Sequence, residues 1–257
     1  MNNLKKIGLT ALAASLVSTS VFAGELAVSG SASIKAAHVT TATGANAGKS
    51  FSMGNSVTFT GGGELENGMT VAVSFELDQA VADGDGPFDS HSVTVSSDAM
   101  GSLTFAGHGG DSAQSQVKDM TGKIWDYQGT SQGALSSSAT NNMMLYTAPT
   151  FVDGVSVKAS YVPKGAAATQ FGSAVDWAVQ YTGVEGLTVG YAQDDNGLSG
   201  TSSLETETMY AKYAIGSFTI GVQETEQEND GATTSDDEFS AMGITYQVSD
   251  DLTIGYT

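Results

Sequence analysis

The chain has 257 residues with 28 acidic and 9 basic side chains, which gives a formal net charge of −19 at pH 7. All nine basic residues are lysines, so the chain has no means of neutralising a run of phosphates, and a nucleic-acid partner is excluded. The absence of cysteine excludes disulfide scaffolds, thiol catalysis and cysteine-bound zinc.

Residues 1–23 have the features of an export signal. Lys5 and Lys6 give a positive start, an apolar stretch follows over residues 7–17, and residues 21–23 have the small-residue pattern of a cleavage site. The apolar stretch is shorter than the ~20 residues that a membrane-spanning helix needs. We therefore expect the exported protein either to be soluble outside the cytoplasm or to enter a membrane as a barrel.

The rest of the chain shows period-two alternation of apolar and small polar residues instead of helical spacing. Met69, Val71, Val73, Phe75 and Leu77, for example, alternate with polar side chains. Six tight turns alternate with six long polar loops along the chain. The turns are at 66–68, 98–101, 152–154, 183–186, 215–217 and 249–251, and the loops are at 38–50, 80–90, 109–140, 164–173, 195–206 and 227–237. This pattern predicts about thirteen antiparallel strands in an up-and-down barrel with one smooth rim and one elaborated rim.

A barrel of this size is too wide for side chains to fill, so its apolar faces are expected to meet lipid and its polar faces water. The alternation assigns to lipid Val73, Phe75, Val157, Val189, Ile220 and Ile254, and to water Ser74, Glu76, Lys158, Thr188 and Thr219. Aromatic residues near strand ends predict interfacial girdles, although tyrosine also favours strands in general. These aromatic residues are Phe105, Tyr161, Trp177, Tyr181, Tyr191, Tyr213 and Tyr256.

The segment 101–107, the long loop after it and the segment 146–161 together resemble the strand, constriction loop and next hairpin of Gram-negative general porins. The likeness is greatest to the Rhodobacter-like porins of alphaproteobacteria and depends on the order of elements. It implies an all-β, transmembrane, antiparallel up-and-down β-barrel over residues 24–257. The family has sixteen strands and about thirteen are present here, so we expect the chain to be incomplete at its C-terminus. The resemblance also implies a homotrimer in the bacterial outer membrane.

The third and longest loop, residues 109–140, is expected to fold into the pore and constrict it. Its candidate residues are Asp111, Lys118, Asp119, Lys123, Trp125 and Asp126, and those of the lumen wall are Lys35, Glu76, His108, Lys158 and Lys212. Porins of this family commonly line one wall with arginine, so the wall lysines are the available substitutes here. The alternatives are a loop that stays on the outer surface, ordinary solvated lysines, and a polar rim position for His108.

The resemblance implies passive diffusion of small hydrophilic solutes and ions. We expect weak cation selectivity, because external carboxylates concentrate cations at the mouth while the wall lacks arginine. No enzyme is expected, since the three histidines lie in or beside separate loops without metal-ligand or catalytic spacing. The alternative is a secreted all-β surface or adhesion protein, rich in Gly and Asp and stabilised by calcium.

No resident cofactor is expected. The stretch 83–89 resembles a calcium loop only faintly, because it lacks the distal glutamate, and an acidic turn is the favoured interpretation. External acidic pairs and runs, such as Asp194-Asp195 and residues 236–238, are candidates for weakly bound Ca²⁺ or Mg²⁺ that bridges to lipopolysaccharide. Solvated loop charge is the alternative for them. The expected partners are outer-membrane lipid, lipopolysaccharide, and the solutes themselves.

Overall fold

The structure is a computed structural model. It describes residues 26–36, 51–78, 88–114, 141–164, 172–197, 203–230, 236–249 and 252–256. These ranges contain thirteen β-strands, and each paired strand runs antiparallel to its neighbour in sequence. None of the described segments forms a helix of the length and apolar character needed to span a bilayer. The chain divides into two compact units, residues 1–97 and 98–257. The predicted export segment lies outside the described residues.

The first unit is a four-stranded antiparallel meander. Its strands are β1 (Ala27–Ala36), β2 (Phe51–Glu64), β3 (Thr70–Asp78) and β4 (Phe88–Ser97). The tight turn between β2 and β3 places Gly68 at a φ of 79°, which is the left-handed region that glycine adopts without strain. On one face Phe59, Phe75 and His91 form a cross-strand row. On the other face Glu76 accepts a hydrogen bond from Ser90 Oγ at 3.3 Å.

The second unit contains nine strands. They are β5 (Gly101–His108), β6 (Met143–Thr147), β7 (Val155–Val162), β8 (Ala174–Tyr181), β9 (Leu187–Gly197), β10 (Ser203–Ile215), β11 (Phe218–Asp230), β12 (Asp237–Ser249) and β13 (Leu252–Tyr256). Each strand pairs with the next from β5 to β13. Short glycine-containing turns join β6 to β7, β8 to β9 and β10 to β11, at the positions that the sequence predicts.

The two faces of this nine-stranded sheet differ in composition. In β8, Ala174, Asp176 and Ala178 are buried, while Val175 and Trp177 between them are exposed. The face shared by Val175 and Trp177, called the apolar face below, also exposes Val157, Ile220 and Ile254. The opposite face, called the polar face, carries the buried side chains of these strands, and half of them are Thr, Gln, Ser or Asp. The alternation predicted from the sequence is therefore confirmed for these strands.

The strands around the longer connections extend further than the sequence indicates. The predicted loops at 195–206 and 227–237 are too long, because β10 begins at Ser203 and β11 continues to Asp230. Near these ends, polar and charged residues occupy both faces of the strands. The apolar contrast that reveals a strand in sequence is therefore lost, while the backbone ladder continues.

Candidate functional site

The two ends of the long loop between β5 and β6 are tied together where the strands end. Gly109 has a φ of 64° and donates its N–H to Asn141 Oδ1 at 3.1 Å. Asn142 donates its N–H to the carbonyl oxygen of Gly107 at 3.0 Å. Asn142 is also left-handed, with a φ of 53°, a conformation that asparagine tolerates better than most residues. These contacts set the direction in which the loop leaves the sheet.

Gly110 then brings the chain directly onto the polar face. A Cβ at this position would lie 2.6 Å from the Cβ of Ala106 and 2.7 Å from Sδ of Met143, both of which are buried. Real Cβ atoms do not approach other atoms so closely, so a glycine is needed for this contact. The loop therefore folds over the sheet from its second residue.

The next residues are fully enclosed and hydrogen-bonded to the sheet. Ser112, Ala113 and Gln114 have no exposed surface. The N–H of Ala113 donates to Ser160 Oγ at 3.2 Å and to Asp176 Oδ1 at 3.1 Å. The Ser160 hydroxyl donates to the same oxygen of Asp176. We call Ala113, Ser160 and Asp176 the root clamp.

Gln114 extends this attachment to β10. Its Nε2 donates to Thr208 Oγ1 at 3.3 Å, and Thr208 Oγ1 lies 3.0 Å from Thr225 Oγ1 on β11. Gln223 Nε2 donates to Thr225 Oγ1 at 3.3 Å. Within residues 109–114 the chain thus passes from the end of β5 to a contact on β10. These six residues, called the loop root below, cross the strands instead of continuing in the strand direction.

The wall beneath the loop root consists of two cross-strand rows on the polar face. The first row is Leu145, Ser160, Asp176, Asp194, Thr206 and Gln227, and the second is Lys158, Ala178, Ala192, Thr208 and Thr225. Asp176 and Asp194 are directly opposite each other, and both are buried. The remaining members of the rows, apart from Lys158, are uncharged.

The structure brings together two of the predicted site residues. Asp111 is exposed on the loop root, and its carboxylate attracts the partly buried ammonium group of Lys158 on β7. Lys212 lies on the polar face of β10, four residues beyond Thr208, and is partly exposed. His108 ends β5 on the face of Ala106 and is partly buried.

The other predicted residues belong to the first unit or lie outside the described residues. Glu76 belongs to the first unit, where it is bonded to Ser90. Lys35 is paired with Ser52 in the β1–β2 ladder, but its side chain is not among those described. The loop candidates Lys118, Asp119, Lys123, Trp125 and Asp126 lie outside the described residues.

Sequence reasoning missed the residues that hold the loop root. Asp176 stands in an otherwise apolar and small-residue run, at the position in the alternation that faces the polar side. Ser160 stands directly opposite it on β7. The signal available in the sequence was a carboxylate in the middle of an otherwise apolar and small-residue strand. Ala113, the loop residue that Ser160 and Asp176 bind, could not be identified from its residue type, because it contributes only a backbone N–H.

Consecutive acidic residues are separated by the strand alternation. Asp194 is buried on the polar face and Asp195 is exposed on the apolar face, so their carboxylates point away from each other. Asp237 and Glu238 are likewise on opposite faces of β12. Among the described residues, no group of three or more His, Asp or Glu side chains has an arrangement that could hold a metal ion.

Carboxylates gather instead across strands, on the apolar face near the longer connections. One row contains Asp195, Glu205 and Glu228, and the next contains Glu207, Glu226 and Glu238. The first row continues through Val175 and Tyr161 on β8 and β7. A single row thus changes from apolar to acidic between β8 and β9.

The comparisons with known proteins agree with this architecture. A family model described as Gram-negative porin matches residues 8–257. Among solved structures, a loop-deletion mutant of OmpT, an outer membrane protein of Vibrio cholerae, is 15% identical over 91% of this chain and 78% of its own, with a TM-score of 0.63. A structure described only as a porin is 15% identical over 90% of this chain and 92% of its own, with a TM-score of 0.53.

A multiple mutant of the Rh. blastica porin is also 15% identical, over 90% of this chain and 93% of its own, with a TM-score of 0.48. No curated protein matches the chain. The two structural likenesses above a TM-score of 0.5 show the fold, and the family model covers nearly the whole sequence. The chain therefore belongs to the Gram-negative porin family, whose members are antiparallel up-and-down β-barrels of the bacterial outer membrane.

Proposed function

We propose that this porin is a passive diffusion channel for small hydrophilic solutes and ions, with weak cation selectivity. Porins are channels without enzymatic activity, and the family match favours a channel over a secreted surface protein. The observation that carries the proposal is the attachment of the loop root to the polar face through the root clamp. A loop that leaves its strands in this direction narrows the lumen of a barrel whose polar face is internal.

The composition of the two faces supports this orientation. Exposed Val, Ile, Tyr and Trp side chains on the apolar face suit contact with lipid, and Ser, Thr and Gln on the polar face suit an aqueous passage. Hydrated solutes would pass over a wall that offers hydroxyl and amide groups in place of a continuous hydrophobic surface.

The charges of the polar face support the sign of the selectivity. In the described part of the second unit, the exposed Asp111 and the buried Asp176 and Asp194 outnumber Lys158 and Lys212. The two buried carboxyl groups do not line the passage and act on it only through the field within the wall. A surplus of fixed negative charge in a narrow passage raises the local concentration of cations. In this proposal Asp119 and Asp126, further along the loop, add negative charge to the constriction. Lys118 and Lys123 reduce that negative charge.

Reversal potentials across a KCl gradient in planar bilayers test this proposal. The unaltered protein is expected to prefer K⁺ modestly, and Asp111→Asn is expected to reduce that preference, most clearly at low salt, where charges are less screened. Asp195→Asn is the matched control, because it removes the same charge from the apolar face. Anion selectivity in the unaltered protein, or equal effects of the two variants, would contradict the proposal.

We also propose that the protein is a homotrimer with lipid and lipopolysaccharide around it, and that Ca²⁺ or Mg²⁺ binds weakly at its external carboxylates. The extensive exposed apolar face supports contact with lipid or other subunits. The rows around Glu205 and Glu226 concentrate negative charge, which supports a weak and diffuse attraction for divalent cations without a coordination site in the part of the chain that the structure describes. A trimer that resists SDS until heated, and whose melting temperature falls when EDTA is added, would support both parts. A monomer insensitive to EDTA would contradict them.

A further inference from the structure

We propose that Asp176 is a positioning residue for the pore loop, and that with Ser160 it fixes the loop root on the wall and thereby sets the open-channel conductance. The proposal rests on the channel function proposed above and deepens it. It concerns how the constriction is held in place, because Asp176 is 2% exposed and therefore does not line the passage.

The hydrogen bonds of the root clamp converge on one carboxylate oxygen. Asp176 Oδ1 accepts from the N–H of Ala113 and from the hydroxyl of Ser160. The same N–H of Ala113 also reaches Ser160 Oγ. One oxygen has two lone pairs and can therefore accept both hydrogen bonds. Two strands therefore hold a single backbone donor of the loop, through acceptors that are register partners.

Side-chain packing beside the root clamp leaves room for only a small side chain at position 113. Ala113 forms a buried cluster with Ala178, Ala192 and Tyr210, and Leu145 packs against it. Ala178 and Ala192 are directly opposite each other on β8 and β9, so the wall is shallow where the methyl group of Ala113 sits. The clamp thus fixes both the height of the loop root above the wall and its position along the strands.

Loss of the carboxyl group would weaken the attachment of the loop root at Ala113, although the contact of Gln114 with Thr208 would remain. Without Asp176, the buried N–H of Ala113 would keep only the hydroxyl of Ser160, and that hydroxyl would lose its own acceptor. A buried donor with an inadequate partner is unfavourable, so the root would move toward water to satisfy it. An asparagine, in contrast, presents an amide oxygen at the same place and can accept both hydrogen bonds.

A labelling experiment tests the clamp directly, because the natural chain contains no cysteine. Ser112→Cys places one thiol on the root at a position with no exposed surface. In the folded protein in detergent, a water-soluble maleimide is expected to react slowly with Ser112→Cys alone. Adding Asp176→Ala is expected to raise the rate at least tenfold, whereas adding Asp176→Asn should leave it near the slow rate. Adding Asp195→Ala, which removes an exposed carboxylate from the opposite face of β9, is the control.

Two outcomes with the Asp176 variants would overturn the proposal. One is slow labelling in the presence of Asp176→Ala, and the other is equally fast labelling with Asp176→Asn, which would assign the effect to charge instead of hydrogen-bond acceptance. If Asp176→Ala does not fold, as judged by heat-modifiable mobility in SDS, Ser160→Ala takes its place. Because Ser160→Ala removes one of the two acceptors, an intermediate labelling rate is expected, and a rate equal to that of Ser112→Cys alone would also overturn the proposal.

Single-channel recordings separate this proposal from the proposed function. In bilayers, Asp176→Ala is expected to change the mean open conductance and to increase current fluctuations within the open state, while Asp176→Asn keeps the conductance of the unaltered protein. An unaltered protein that forms no channels would contradict the channel function. The labelling rates would still test whether Asp176 holds the loop root on the wall. Channels with the same conductance and fluctuations in all three proteins would contradict the positioning role alone.

Discussion

Glu207 and Glu226 are directly opposite each other on the apolar faces of β10 and β11. Glu226 in turn faces Glu238 on β12, and the adjacent row opposes Glu205 to Glu228. Like charges at such positions destabilise a strand pair by up to ~1 kcal/mol in water, and hydrocarbon would raise the cost of each carboxylate much further. These ends of β10 to β12 therefore lie beyond the hydrocarbon, in the aqueous headgroup layer.

Strand tilt explains why the row that contains Glu205 and Glu228 is apolar at its other end, at Val175 and Tyr161. Rows run perpendicular to the strands, so in a barrel with strands tilted by about 35–45° a row climbs toward one rim. Tyr161 lies six residues from the start of β7, whereas Glu228 lies ten residues from the start of β11. Both strands begin at a short turn, so these two counts give the distance of each residue from the rim with the short turns. The acidic end of the row is thus the end further from the short turns.

Relief of the repulsion between Glu226 and the two glutamates opposite it, Glu207 and Glu238, is expected to stabilise the protein. Glu226→Gln removes one of two opposed charges from each of two strand pairs, and we expect a gain of ~0.2–1 kcal/mol at low salt that shrinks as salt is added. Urea unfolding in vesicles at two salt concentrations measures it. Glu185→Gln, in the exposed turn before β9, is the control and should change stability less. A loss of stability in Glu226→Gln would indicate that these carboxylates are held by favourable contacts.

The position of the membrane boundary predicts a strong dependence on depth along β11. Val222 is exposed on the apolar face in a row with Ala211 and Met242, so Val222→Lys is expected to cost ~2–4 kcal/mol of folding free energy in vesicles. Glu226→Lys, four residues further along the same face, should cost less than about 1 kcal/mol, or stabilise by pairing with its neighbours. Equal costs at the two positions would place both on the same side of the boundary.

The orientation of the two faces predicts a difference between adjacent residues of β9. Thr188 lies on the face of Lys212, and Val189 lies on the face of Ala211. In vesicles, Thr188→Cys is therefore expected to react with a charged aqueous maleimide much faster than Val189→Cys. Labelling of both in the unfolded protein controls for intrinsic reactivity. Similar rates in the folded protein would contradict the assignment of the apolar face to lipid.

Gly110 is expected to be required for the inward path of the loop. Gly110→Ala would bring its new Cβ into contact with Ala106 and Met143, and we expect a loss of ~1–3 kcal/mol, the usual cost of overpacking. Gly61→Ala is a suitable control, because its Cβ would meet Leu26 and Val73 only at 3.6 Å and 3.7 Å, which are ordinary contact distances. Urea unfolding compares the two. Full stability of Gly110→Ala would show that the loop root can leave the wall freely.

The period-two alternation, together with the alternation of short turns and long loops, was sufficient to predict the class of fold. Strand geometry places successive side chains on opposite faces, so runs such as Val175 to Tyr181 reveal both a strand and its orientation. Where polar residues occupy both faces, as at the Glu205 end of β10, the alternation lost its contrast and the predicted loops were too long. The thirteen strands and the short turns nevertheless appear in the predicted order.

The sequence by itself thus determined the strands, their faces and the family, because these depend on neighbours along the chain and on the order of elements. Only the tertiary structure decided that Ala113 meets Ser160 and Asp176, which lie 47 and 63 residues away. It also decided which carboxylates oppose each other across strands, such as Glu207 and Glu226. Contacts of this kind depend on strand register and on the path of the loop across the strands, and local periodicity contains neither.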